Sequence, residues 1–200
     1  MNGTTHAVTG AAAGAWAAVA LRPAPGVALA GIVVSAVAAL VPDTDHPSSR
    51  LVRSFGLTVR WGTRRWCVGP GPLLCAAVRV VSHAATGRRH RGLSHSLVFA
   101  LLVGGLTGVV SAWWVPLSHA VHLGLVGCLG VTAALVGDLV TRAGLDHLLW
   151  PSQRRVAIPK RWRIRSGGPV ERWLVLPTVS VAAAVGTVAV LAGWGVPGAG

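Results

Sequence analysis

This 200-residue sequence has little charge of either sign, and acidic residues are especially scarce. Charged residues make up 12% of the chain, which is about half of the roughly 25% that is usual in soluble domains. Tyrosine is absent, and most of the few charges are crowded into two stretches between long apolar segments. The shortage of charge excludes an ordinary soluble domain and indicates a polytopic membrane protein.

Cysteine is also scarce. The three cysteines, Cys67, Cys75 and Cys128, are odd in number and show no C-x-x-C spacing, which excludes a disulfide framework and a zinc ribbon. Eighteen basic residues against five acidic ones give a net charge of +13. Such a balance is typical of nucleic-acid-binding domains, but positive-inside topology explains the same charge in an apolar chain. We therefore expect membrane lipids, including anionic headgroups, as partners and no nucleic acid.

Five apolar stretches predict transmembrane helices. The first two are short, at about 24 Å each, and their alanine and glycine content suits close helix packing. The expected fold is all-α: a polytopic integral membrane protein forming a single membrane domain over residues 1–200. The predicted spans are 7–21, 26–41, 96–117, 120–141 and 173–197.

The basic residues predict the orientation of these spans. The predicted loops are 42–95 and 142–172; nine arginines lie in 50–91 and eight basic residues in 142–172. Two spans separate these loops, so both lie on one side, which the positive-inside rule identifies as the cytoplasm. The N-terminus is then expected in the cytoplasm and the C-terminus outside.

The first basic loop contains an amphipathic pattern over residues 50–68. At 100° per residue, most apolar residues of this stretch fall on one side and most arginines on the other. The pattern favours a helix lying on anionic headgroups over an irregular loop.

Several polar residues have no obvious role in topology. The second span ends in a motif in which Asp43, Asp45 and His46 stand between Pro42 and Pro47. Carboxylate with imidazole is a ligand combination that suits zinc, manganese or iron. An acidic turn is also common as a helix cap, so the motif alone leaves both interpretations open.

Further ligand-type residues lie near the ends of other spans. His90 and His95 precede the third span, Asp138 is near the cytoplasmic end of the fourth, and His6 precedes the first. The orientation inferred from basic residues places all of them at one membrane face, which capping does not require. We therefore predict a shared site for one or two divalent ions, zinc first and manganese as the alternative. Its predicted metal ligands are His6, Asp43, Asp45, His46, His90, His95 and Asp138.

These residues resemble the family of LexA-regulated, membrane-bound metal-dependent hydrolases, the YdjM-like proteins. The resemblance covers roughly residues 5–175 and rests on four blocks, namely Thr5-His6, residues 42–47, residues 90–97, and Asp138 with the residues that follow it. Glu171-Arg172, before the last span, also resembles the closing motif of the family. It implies an inner-membrane, multi-pass hydrolase. A remote kinship suggested between such sites and zinc-dependent phospholipase C implies phosphoester hydrolysis.

The sequence departs from the family in one position. Family members commonly carry a histidine four residues before the aspartate of the fourth span, where this chain has Ala134. The loss of one ligand predicts a weaker metal site or none. Asp146 and His147, in the following loop, are candidates to compensate.

The leading hypothesis is hydrolysis of a phosphoester, with a membrane lipid as one candidate substrate, through a metal-activated water at the cytoplasmic face. Asp45, His90 and Arg91 are the candidate catalytic residues, and the Arg91 guanidinium is suited to pair with a phosphate oxygen. The alternative is a non-catalytic membrane protein with a degenerate metal site, or a divalent-ion carrier.

Overall fold

A computed structural model describes residues 1–46, 49–55, 57–61, 64–87, 91–152 and 154–193. Helices make up most of the described chain, which confirms the expected all-α class; the rest includes one short hairpin and a largely irregular segment over residues 140–170. The helices are α1 (Gly3–Leu21), α2 (Pro25–Ala38), α3 (Arg50–Ser54), α4 (Pro70–Thr86), α5 (Leu97–Ser111), α6 (Leu117–Leu139) and α7 (Leu176–Gly193), and the strands are β1 (Leu57–Trp61) and β2 (Arg64–Val68). Short 3₁₀ turns cover Pro42–Asp45, Leu93–His95 and Lys160–Trp162, and a π-helical turn, Glu171–Val175, leads into α7.

Each of the five apolar stretches contains one helix: α1, α2, α5, α6 or α7. Within the described ranges, three helical segments are long and apolar enough to cross a membrane: Pro25–Asp45, Leu117–Leu139 and Glu171–Gly193. Helix α5 is apolar but has only 15 residues, and α6 begins three residues before the predicted span. Positions 194–197, the end of the fifth predicted span, lie outside the described residues.

Close packing of α1, α2 and α6 depends on small residues around Ser35. A Cβ atom on Gly10 of α1 would lie 2.5 Å from the Ser35 carbonyl oxygen, and one on Gly130 of α6 would lie 2.2 Å from it. Any larger residue at either position would force the helices apart. Small residues at such contacts are typical of membrane helix bundles, where close backbone approach drives association.

Apolar and polar residues are distributed as expected for a protein in a bilayer. Large apolar side chains point outward, as Leu106 and Val188 do, with 66% and 63% of their surface exposed. Polar side chains instead concentrate in the interior near one end of the bundle. Those with at most 2% exposure include Thr5, His6, Thr44, Asp45, Ser94, His95, Asp138, Thr141 and Glu171.

The structure corrects the interfacial helix predicted over residues 50–68. Of the residues of this stretch that the structure describes, Arg50–Ser54 alone are helical; the antiparallel strands β1 and β2 follow, with Leu57 paired to Val68 and Trp61 to Arg64. From Leu57 to Trp61 apolar and polar residues alternate strictly, and this period of two favours a strand over a helix. The long amphipathic helix of this loop is α4, which the sequence analysis did not identify.

Candidate metal centre

Four segments distant in sequence bring ligand-type side chains together. His6 lies in the first turns of α1, Asp43 in the 3₁₀ turn after α2, His95 in the turn before α5, and Asp138 in the last turn of α6. Pro42 begins the second of these segments, and the Thr44 hydroxyl donates to the Val41 carbonyl at 2.7 Å. These local features turn the chain at the end of α2 so that Asp43 faces α1 and α6.

The two carboxylates stand between the two imidazoles. His6 Nε2 is 3.7 Å from Asp43 Oδ2 and 3.4 Å from Asp138 Oδ1. His95 Nε2 approaches the other oxygens, at 3.8 Å from Asp43 Oδ1 and 3.4 Å from Asp138 Oδ2. One ligand atom from each of His6, Asp43 and Asp138 lies within 4.8 Å of the others.

These separations suit ligands of a common ion. A tetrahedral zinc ion with bonds of about 2.0–2.1 Å holds neighbouring ligand atoms about 3.4 Å apart. Two imidazoles and two carboxylates are available without any contribution from position 134. Ala134, 2% exposed, lies one turn before Asp138 on the same helix.

Burial of the four residues is unequal. His6, His95 and Asp138 are at most 2% exposed, whereas the Asp43 side chain is 25% exposed. Taking a carboxylate out of water is costly unless a cation compensates its charge, so Asp138 needs positive partners. The amino group of Met1 contacts Asp138 Oδ1, and Arg91 Nη2 lies 3.8 Å from the same oxygen.

Asp45 lies behind His95. Ser94 Oγ donates to Asp45 Oδ2 at 2.7 Å and is also 3.0 Å from His95 Nδ1. Since the carboxylate can only accept, the single hydroxyl hydrogen of Ser94 points to Asp45, and Nδ1–H of His95 donates to Ser94 Oγ. Nε2 of His95 faces Asp43 and Asp138, and in the tautomer with hydrogen on Nδ1 this nitrogen carries the lone pair that a metal ligand needs.

Arg91 connects this arrangement to the next loop. Its backbone N–H donates to Asp45 Oδ2 at 2.9 Å, and Nη1 is 3.5 Å from the Gly144 carbonyl. With φ of 55°, Arg91 occupies the left-handed region, which is uncommon for residues other than glycine. The backbone therefore accepts a costly conformation that points the Arg91 guanidinium toward Asp138.

His6 is held differently, through a carboxylate far away in sequence. Glu171 is fully buried and accepts hydrogen bonds from the Asn2 N–H at 2.7 Å, the Thr5 hydroxyl at 2.7 Å and the Gly167 N–H at 2.8 Å. Asn2 in turn caps α1 by accepting from the Thr5 N–H. Glu171 thus ties the first turn of α1 to the start of the last helix. The Nδ1 atom of His6 has no hydrogen-bond partner among the described residues.

A cavity of about 390 Å³ opens beside the cluster. Asp43, the most exposed of the four ligand-type residues, lines it together with His46, Arg53 and Arg91. Cationic side chains beside a carboxylate–imidazole cluster would attract an anionic ligand. The sequence analysis missed Arg53, because nothing in its spacing distinguishes it from the other arginines of the loop.

The remaining predicted residues lie outside the four-residue cluster. Asp45 orients His95, His46 is exposed at the cavity, and His90 falls outside the described residues. Asp146 lies 3.6 Å from Arg155, at the surface. His147 is buried, and neither ring nitrogen has a hydrogen-bond partner in the described chain.

One comparison with known proteins gives a match. The family model described as YdjM inner membrane protein matches residues 1–196, almost the whole chain. No curated protein and no solved structure matches the sequence.

Proposed function

We propose that this chain, which belongs to the YdjM inner membrane protein family, is a metal-dependent hydrolase acting at the cytoplasmic membrane face. The single observation that carries the proposal is the grouping of one ligand atom each from His6, Asp43 and Asp138 within 4.8 Å. Placing an ionisable group at the end of a membrane helix costs free energy, so such a group marks a candidate functional site. Here three separate elements each contribute an ionisable group to the same cluster.

The donor set fits a divalent ion. Two imidazole nitrogens and two carboxylates, spaced at 3.4–3.8 Å, suit zinc, with manganese as the alternative. When bound, such an ion lowers the pKa of a coordinated water to about 7 and makes hydroxide available at neutral pH. The Nδ1–H tautomer of His95, which Ser94 and Asp45 support, leaves Nε2 available for coordination.

The cavity supplies the place for a substrate. Asp43 and His46 both line it, so a substrate held there would lie against the exposed edge of the cluster at Asp43. Arg91 lines the same cavity, and its planar guanidinium is suited to two phosphate oxygens. A phosphoester is therefore the proposed substrate class. His90 keeps its predicted catalytic role as a hypothesis from the sequence, whereas Asp45 is proposed to position His95.

The proposal includes an orientation, with the N-terminus and both basic loops in the cytoplasm. The excess of basic residues in these loops supports it. Reporter fusions after Thr86 and at the C-terminus should report opposite sides of the membrane. A report from the same side for both would contradict the orientation.

Metal analysis of the full chain purified in detergent tests the centre. We expect the wild type to retain zinc or manganese and Asp43→Asn to lose most of it. Asp146→Asn is the matched control, since that acid is at the surface beside Arg155. Equal metal content in Asp43→Asn and wild type, with both folded, would refute the centre.

Hydrolysis is tested separately with a chromogenic phosphomonoester and a chromogenic phosphodiester. We expect metal-dependent release of the chromophore by the wild type and at least about a hundredfold less by Asp43→Asn. Bound metal without turnover of any phosphoester would favour the alternative of a divalent-ion carrier or a degenerate site.

A further inference from the structure

Helix α4 presents an apolar face that no described part of the chain covers. Leu73 is 71% exposed and Val80 is 68% exposed, and they are joined by Leu74 and Val81. On a helical projection at 100° per residue, these four residues form one stripe about 120° wide around the helix axis. Ala77 and Ala84 fall within the same angular range. We call these six residues the α4 stripe.

The opposite side of α4 is the one that packs on the protein. Gly71, Cys75 and Ser82 are buried there, and α4 contacts α3 and the turns that carry Asp43 and His95. The Ser82 hydroxyl accepts the N–H of Leu93 at 3.0 Å, which ties α4 directly to the turn of His95. Small and polar residues inward with large apolar residues outward reverse the pattern of a helix in a soluble protein.

The surroundings indicate that lipid covers the α4 stripe. Helix α4 contains Arg79 and His83, and it is neither among the segments that can span nor, like α5, among the shorter apolar helices, so it suits the interface plane. It lies in the loop that carries nine arginines, which complement anionic headgroups. It also leads into α5, whose outward side is apolar, as Leu101 and Leu106 show with 65% and 66% exposure.

A crevice of about 230 Å³ joins the two helices. It is lined by Ala77, Val78 and Val81 of α4, by Phe99 of α5, and by Leu93 and Ser94 of the turn between them. Apolar side chains of α4 and of α5 therefore line one and the same crevice. Ser94, which orients His95, forms part of the wall.

We propose that α4 is a membrane-interfacial helix whose stripe lies among the lipid acyl chains. The candidate centre then opens at the depth of the headgroups, and an acyl chain in the crevice contacts the turn of His95. The membrane position of α4 does not depend on the proposed hydrolase activity. If α4 lies in the interface and the protein is a hydrolase, the substrate is the phosphoester of a membrane lipid that enters the candidate centre from the bilayer.

Spin labels test the position of α4 in the full chain. Leu73→Cys, Val80→Cys and the control His83→Cys are labelled one at a time, in a background with the native cysteines replaced, in phosphatidylethanolamine–phosphatidylglycerol vesicles. All three positions are exposed, so the labels need not disturb packing, and His83 lies about 120° from the stripe centre. We expect labels at 73 and 80 about 5–10 Å below the headgroups and the label at 83 accessible to a water-soluble nickel chelate. Equal access of the chelate to all three labels would overturn the inference.

A second measurement needs no substitution. The wild type in the same vesicles is crosslinked to a phospholipid carrying a photoreactive group in its acyl chain. We expect crosslinks in the peptide covering residues 70–86, whereas crosslinks in α5 and none in α4 would overturn the inference. Lipid contact at α4 without bound metal would refute the hydrolase proposal alone, and bound metal with α4 in water would refute this inference alone.

Discussion

His6 and His95 face the same two carboxylates, but the chain positions the two rings in different ways. His95 sits in a three-residue turn and is oriented by neighbours, through Ser94 Oγ at 3.0 Å and Asp45. His6 sits in a 19-residue helix whose start is fixed by Glu171, at the beginning of the last helix. For His95 a hydrogen bond determines which ring nitrogen faces the two carboxylates, whereas for His6 a helix determines where the ring lies.

The difference separates two consequences of mutation. A turn has little structure of its own, so the loss of the Ser94–Asp45 pair should change the orientation of His95 and with it metal affinity. The Glu171 carboxylate instead joins α1 to the start of α7, so its loss should first reduce the stability of the fold. Stability and metal affinity should therefore respond to different residues.

Removing a shared carboxylate should have the largest effect, because it acts on both histidines at once. Asp138→Asn keeps the size of the side chain but removes the charge of a carboxylate whose oxygens lie 3.4 Å from Nε2 of His6 and of His95. We expect metal affinity to fall by more than about a hundredfold, beyond the usual loss for a residue that only orients a ligand. Metal titration of the purified variant measures this, with Asp146→Asn as control. An affinity within tenfold of the wild type would mean that Asp138 is not a ligand.

Breaking the hydrogen bonds that join His95 to Ser94 and Ser94 to Asp45 should have the next largest effect on metal affinity. We expect Ser94→Ala and Asp45→Asn each to lower metal affinity by about 10–100-fold, since the ring loses the partner that fixes its tautomer. The double variant should be little worse than either single variant because the two residues act as a unit. Ser180→Ala, at an exposed position on α7, is the matched control. Additive losses in the double variant would show that the residues act separately.

Replacing Glu171 tests the His6 side of the cluster, where we expect the stability of the fold to change more than metal affinity. Glu171→Gln replaces a charged acceptor by an amide and puts an N–H₂ group where the carboxylate accepts from the Gly167 N–H, so that N–H loses its acceptor. We expect thermal denaturation in detergent to show a loss of about 1–3 kcal/mol. Metal affinity should change less than in Ser94→Ala, because helix α1 still carries His6. A variant of full stability with weakened metal binding would reverse the roles assigned to the two sides.

Restoring the family histidine should have the smallest effect. Ala134→His places an imidazole about 6 Å along α6 from Asp138. Because two imidazoles and two carboxylates are already present, we expect metal affinity to change by less than about tenfold, with some loss of stability from overpacking a buried position. His147→Ala, assayed beside it, should leave affinity unchanged. A large gain in Ala134→His would mean that the wild-type centre lacks a ligand.

The sequence alone was sufficient to predict the helices of the bundle, because long apolar segments without charge have few other stable structures in a membrane. It failed over residues 50–68, where a helical period was applied to a stretch that alternates from Leu57 to Trp61. Helix α4 was missed for a related reason: its apolar stripe is too short to resemble a span, and its inward side is neither charged nor strongly polar.

For the candidate centre, the sequence shows which residues have ligand-type side chains, but it does not show which of them face the cluster and which only orient a neighbour. Asp43 and Asp45 are two residues apart in one motif, yet one faces the imidazoles of the cluster and the other accepts from Ser94 behind His95. Nothing in the spacing distinguishes them, because the 3₁₀ turn determines where each carboxylate points. Glu171 was part of a recognised motif, but its contact with Asn2 and Thr5 joins residues more than 160 positions apart.

The sequence by itself determined the membrane class, the helices and the types of residue available for a centre, since these follow from hydropathy, charge and ligand chemistry. Only the tertiary structure decided which side chains meet. The grouping of His6, Asp43, His95 and Asp138 depends on how α1, α2 and α6 pack through small residues, and on the turns at their ends. Such packing involves contacts between distant parts of the chain, and local sequence patterns do not specify these contacts.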